Sequence, residues 1–135
     1  MAVTKVSTFK TDLIFGQDSE NRLVNLIEGK GFSVEVKRDA QWLRTGNLFI
    51  EFECFYQATG HWGPSGIATT QADFWAFDLE GLWFIVPIET LRYAFDSLGA
   101  PTAANKLEPN PSTGKLLTIN GIVSAHKILQ KDKND

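Results

Sequence analysis

A single cysteine, Cys54, is the whole thiol inventory of this 135-residue chain. No disulfide can form within it, and the pattern fits a reducing, cytoplasmic setting. Its two histidines, His61 and His126, lack partners at metal-ligand spacing, which argues against a zinc centre. No apolar run approaches the roughly 18 residues of a membrane span, so no membrane partner is expected. The opening residues MAVTKVSTFKTD show no apolar stretch with a cleavage pattern behind it, and no signal peptide is expected. The formal net charge is only −3, so no global field attracts nucleic acid. Such a partner would need a local basic patch, or acids neutralised by a cation. No segment repeats at a period of roughly 20–50 residues.

What the chain does have is apolar mass. Hydrophobic residues make up 43% of it, with ten Phe and four Trp, enough for one domain with a sizeable core. Asp18 or Ser19 can cap a helix, and Leu23, Leu26 and Ile27 follow at helical spacing, predicting a helix over 18–29. Strands are predicted at 32–39 and 47–56, joined like a hairpin by AQWLRTG. The stretch QATGHWGPSGIATT is rich in glycine and is read as a loop without regular structure. DFWAFDLEGLWFIVPI reads as a hairpin turning at Glu80-Gly81, its second run apolar enough for a strand buried on both faces. Leu91, Ala94, Phe95 and Leu98 form a stripe that predicts a helix over 88–98, with Thr90 as a cap. The proline-rich 99–114 reads as an extended loop, then a strand over 115–119, a turn at Asn120-Gly121, a short helix over 122–129 and a frayed end. The expected class is α/β, a mixed sheet flanked by helices.

The chemistry concentrates between Ser33 and Glu53. Residues two apart on a strand share a face. On the first strand Glu35, Lys37 and Asp39 therefore fall together. On the second, Glu51 and Glu53 share a face with Asn47. Carboxylates gathered on neighbouring strands repel one another, and a divalent cation is a common remedy. A solvated strand face gives the same alternation, and Glu20 in a first helical turn is also a dipole partner.

Element order and acids together resemble the PD-(D/E)XK nuclease superfamily over about residues 18–98, with 99–135 as a C-terminal extension. The stretches EVKRD, TGNLFIEFE, PSGIATT and ADFW look like small phage-borne or bacterial members. The resemblance implies a restriction-endonuclease-like core of αβββαβ type and a Mg²⁺-dependent endodeoxyribonuclease, with Mn²⁺ as substitute. Two placements of the motif stay open. In the favoured one Asp39 is the motif aspartate, Glu51-Phe52-Glu53 the tripeptide and Glu20 the helix acid. Glu53 then stands where lysine is expected, and Lys37 is a displaced lysine. In the other, Glu35-Val36-Lys37 is an intact tripeptide, but no strand fits between its aspartate, Asp12 or Asp18, and Glu35.

On this reading Asp39, Glu51 and Glu20 hold the cation. Lys37, Glu35 and Glu53 serve the chemistry, with Lys37 facing the phosphate and Glu53 a base or further ligand. Ser65, Gly66, Thr69 and Thr70 offer hydroxyls and a bare backbone N–H to a phosphate. Arg38 and Arg44, with Trp42 between them, can track a DNA backbone. A loop closing over a sheet edge explains 57–70 equally well. One small domain covers little duplex or branched DNA, so a homo-oligomer is expected. The alternative is an inactive nuclease-fold protein that binds nucleic acid or a protein partner.

Overall fold

The computed structural model describes residues 25, 27–39, 41–99, 102–105 and 111–134. The chain divides into two compact units, residues 1–34 and 35–135, and each is taken by itself. In the first, residues 27–29 are helical and Lys30 and Gly31 close the turn through N–H bonds to Ile27 O and Glu28 O. This is the tail of the helix expected over 18–29. Its start, with Glu20, lies outside the described residues, as does Asp12.

The second unit is mixed α/β with two small sheets. One has the strand order β1-β4-β5, from β1 (Val34–Arg38), β4 (Phe74–Asp78) and β5 (Trp83–Pro87). The other has the order β3-β2-β7-β6, from β3 (His61–Pro64), β2 (Asn47–Tyr56), β7 (Ser112–Thr118) and β6 (Thr102–Asn105). Helix α1 is the short Trp42–Thr45, α2 is Ile88–Ser97 and α3 is Ile119–Asn134. Leu48 and Ile50 of β2, Trp75 and Phe77 of β4, Leu91 and Ala94 of α2, Leu117 of β7, and Ile122 and Ala125 of α3 fill one core.

Several elements follow directly from local chemistry. β4 and β5 pair antiparallel with Asp78 opposite Trp83. Glu80 and Gly81 both take positive φ, the left-handed pair a tight hairpin turn needs, and Leu79 N–H closes it on Leu82 O. α2 buries Leu91 and Ala94 and sets Phe95 and Leu98 against the core, as its stripe predicts. It ends at Leu98, whose N–H bonds to Ala94 O.

Other expectations give way. β1 and β2 are not a hairpin: they sit in different sheets, and their link coils into α1. The strand predicted over 32–39 is shorter, ending at Arg38. The glycine-rich stretch after Tyr56 is not irregular throughout, because His61–Pro64 pairs antiparallel with β2, matching Tyr56 to His61 and Glu53 to Pro64. β5 is an edge strand with Ile85 38% exposed, so it is not buried on both faces. Thr90 caps nothing; its side chain meets His126 Nδ1 at 2.8 Å. Asn120-Gly121 is no turn but the first turn of α3, where Thr118 Oγ1 accepts the Gly121 N–H at 2.9 Å. α3 continues through the expected frayed end to Asn134, and Lys133 pairs with Glu89 at 2.7 Å. Residues 112–134 are no extension to a finished core: β7 is an inner strand and α3 supplies buried Ile122 and Ala125.

The decisive irregularity is a bulge. Glu51 lies opposite Gly114 and Glu53 opposite Thr113, with one extra residue, Phe52, on the β2 side. Thr113 and Gly114 are successive residues and face opposite sides of the sheet, so Glu53 and Glu51 do too. The shared face expected for those two acids is therefore broken. Phe52 stays on the core face with Ile50 and meets Phe95 of α2 edge-on, ring centroids 5.6 Å apart.

Candidate functional site

β1 presents Glu35 and Lys37 on one face, as its alternation requires, and they form an ion pair of 2.6 Å between Lys37 Nζ and Glu35 Oε2. The other Glu35 oxygen accepts the hydroxyl hydrogen of Thr70 at 2.9 Å. Thr70 Oγ1 in turn accepts the indole N–H of Trp75 at 3.1 Å and the Ala72 N–H at 3.2 Å. The Lys37 ammonium lies 4.4 Å from the centroid of the same indole, a cation over an aromatic face. Four side chains thus close a ring: Trp75, Thr70, Glu35 and Lys37. Arg92 fastens the Thr70 carbonyl at 2.9 Å.

Asp39 follows β1 and is bound on both oxygens. Oδ1 accepts the Gln41 N–H at 3.0 Å, and Oδ2 accepts the Phe49 N–H at 2.9 Å. The carboxylate thereby serves a backbone donor of β2 where no strand pairs with it, and ties the end of one sheet to a strand of the other. Glu51 is two residues further along β2, about 7 Å of strand, on the face of Phe49. Asp39 thus meets the strand that bears Glu51 through this tie rather than through paired strands. Glu53 faces away from Glu51 after the bulge and does not share a site with it.

The segment Ser65–Thr70 runs from Glu51 to Glu35. Ser65 N–H bonds to Phe52 O at 3.0 Å, and Gly66 sits so tightly on Glu51 that a Cβ there would lie 2.2 Å from the Glu51 carbonyl oxygen. Gly66 has φ +53, which favours glycine, and opens a 3₁₀ turn, Gly66–Ala68. Four residues later Thr70 reaches Glu35. The chain between them spans at most about 14 Å.

The phosphate candidates divide. The Ser65 side chain is buried and its hydroxyl has no hydrogen-bond partner among the described residues. It is not presented to a ligand. The Thr70 hydroxyl is saturated, since it gives its one hydrogen and fills both acceptor positions. Thr69 is exposed and its hydroxyl leans on Gly66 O at 3.4 Å. Arg38 meets Asp78 at 3.5 Å, and Arg44 forks onto Gln41 Oε1 at 3.1 and 2.7 Å, both on exposed side chains.

Trp75, in the hairpin run DFWAFDL, is a residue that the site candidates do not include. It is fully buried, yet its ring and its N–H both serve the Glu35–Lys37 pair. A buried indole needs an acceptor, and a hydroxyl five residues earlier was the available signal. Among the described residues no three of His, Cys, Asp or Glu come together as a metal-holding group, and none of the described helices is long and apolar enough to cross a membrane. Comparison with known proteins finds no family model, no curated protein and no solved structure that matches the chain.

Proposed function

We propose that this protein is a Mg²⁺-dependent endonuclease acting on duplex or branched DNA, with a core of the restriction-endonuclease kind. The observation that carries this reading is the seating of Asp39 on β2. It brings one carboxylate beside the strand that bears Glu51, while Glu35 and Lys37 stand just before Asp39 on β1. The donor set is all carboxylate, which suits a hard cation, and Mg²⁺ is commonly held by one or two carboxylates and its own waters. Asp39 and Glu51 are the carboxylates of the second unit that suit such an open site. A bound Mg²⁺ or Mn²⁺ would polarise a phosphoryl oxygen and make its water a better nucleophile.

The chain's own contribution is charge and position. Lys37 offers ammonium protons to a phosphate oxygen, and Glu35 with the Trp75 ring fixes where that ammonium sits. Asp39 is held and aimed by two backbone N–H donors, one on each oxygen. Glu53 is left out of the site because the bulge turns it away. Cutting both strands requires two such sites, hence a homo-oligomer.

A second reading keeps the fold and drops the catalysis: a protein that binds nucleic acid without cutting it. The lack of a three-acid group among the described residues favours it. Supercoiled plasmid and branched DNA incubated with Mg²⁺ or Mn²⁺, wild type beside Asp39→Ala and Glu51→Ala, decide between the two. Cleavage by the wild type alone is the expected result. Full cleavage by Asp39→Ala rejects the proposed site. DNA binding without cleavage under either ion selects the second reading.

A further inference from the structure

We infer that Thr70 is the positioning residue of the Glu35–Lys37 pair, and not a phosphate contact. The inference rests on the proposed function for its catalytic consequence and on hydrogen-bond directions for its geometry. A hydroxyl has one hydrogen to give and two lone pairs to offer. Indole N–H and backbone N–H can only donate, so Trp75 and Ala72 take the two acceptor positions of Thr70 Oγ1. The single hydrogen is left to Glu35, whose carboxylate can only accept. No other assignment satisfies all three bonds.

The consequence reaches Lys37. With Oε1 held by Thr70, the other oxygen of Glu35 faces the ammonium, and the pair is 2.6 Å long. Trp75 closes the ring from the far side, holding Thr70 by its N–H and meeting Lys37 with its face. Trp75 is 1% exposed and cannot swing. The Arg92 bond to the Thr70 carbonyl fixes the backbone of the same residue. A rigid indole therefore sets a hydroxyl, the hydroxyl sets a carboxylate, and the carboxylate sets the cation.

Thr70→Ser and Thr70→Val, assayed on plasmid with Mg²⁺, test this. Ser keeps the hydroxyl and should stay near wild-type kcat. Val should lower kcat by about tenfold or more, with KM for DNA unchanged, as loss of a bond to a charged group predicts. A raised KM with intact kcat in Thr70→Val would make Thr70 a phosphate contact and overturn the inference. A melting cycle needs no cleavage. Thr70→Val is compared in the wild type and in Glu35→Leu, and the fall in Tm should shrink by about half or more when Glu35 is absent. Equal falls in both backgrounds overturn the inference. If the wild type cuts no DNA, the nuclease reading fails by itself, and the melting cycle still decides the role of Thr70.

Discussion

Gly66→Ala is the sharpest probe of how the two halves of the site are joined. Two costs arise there and can be separated. The residue has φ +53, and forcing an L side chain into left-handed backbone costs about 1–2 kcal/mol. The new Cβ would also lie 2.2 Å from Glu51 O and 2.8 Å from Glu51 C. Both are backbone atoms, so no side-chain rotation relieves the overlap. Overpacking of this kind costs a further 1–3 kcal/mol, roughly. The sum is about 2–5 kcal/mol. Gly46→Ala is the control, because Gly46 has φ +74 but nothing within 4 Å of its Cβ position. It should show the backbone cost alone. Thermal melts monitored by circular dichroism should fall by about 5 °C for Gly46→Ala and about 10 °C or more for Gly66→Ala, at roughly 3–4 °C per kcal/mol. Equal falls for the two variants would refute the close approach of Gly66 to Glu51. On the proposed function, Gly66→Ala that melts late enough to assay should also cleave DNA poorly, because either Glu51 or the path to Thr70 has moved.

Two further outcomes follow from single contacts. Lys115 reaches from β7 to the end of α2, with Nζ 2.7 Å from Phe95 O and 3.4 Å from Leu98 O and 4.5 Å from the Phe95 ring centroid. Lys115→Met leaves those terminal carbonyls without their cation, costs about 1–2 kcal/mol and weakens amide-exchange protection at Leu98 first; unchanged protection there would sink the capping role. The Tyr56 phenol, which donates its hydrogen to Pro64 O at 2.6 Å, is raised above its ordinary 10.0, chiefly by the neighbouring Cys54 side chain, then by desolvation and by the charges of Cys54 and Glu51. The folded state thus disfavours the phenolate, and this contribution to stability is complete below pH 10 and lost as pH rises past the raised value. Phenolate absorbance in a Tyr93→Phe background should show Cys54→Ala titrating at lower pH than its parent, and coincident curves would reject the coupling.

Legibility in the sequence tracked how local the cause was. The span of β2 is readable because ten residues rich in apolar and aromatic side chains run without a glycine or proline. The β4–β5 hairpin is readable because Glu80-Gly81 supplies the turn its strands need. The Glu35–Lys37 pair is readable from a spacing of two. What was not readable depended on distant partners. His61–Pro64 carries loop residues, yet it becomes a strand because β2 offers it an edge. The letters IEFECF keep alternating through position 52, so nothing local announces the bulge that sends Glu53 to the other face. The separation of β1 from β2 is a choice of strand partners, and strand order is written in no single segment.

Two glycines lie against β2 just where the bulge begins. Gly66 presses on the carbonyl of Glu51, and Gly114 on β7 leaves room for only 2.4 Å between its Cβ position and Ile50 O. The Ile50–Glu51 segment is thus approached closely by two backbones at once, one from a loop and one from the neighbouring strand. A side chain at either position would push that neighbour away. The extra residue of β2 follows at once, between Glu51 and Glu53. This arrangement fixes Glu51 against Gly66 while Asp39 takes the Phe49 N–H two residues earlier. The same segment that touches Glu51 ends at Thr70, which orders Glu35 and, through it, Lys37. Acids on separate sheets are therefore linked by one loop and one carboxylate tie, not by strand pairing. Gly114→Ala has no left-handed backbone to strain, so its fall in Tm should report the overlap with Ile50 and Glu51 backbone alone, and a Tm equal to wild type would refute that close approach.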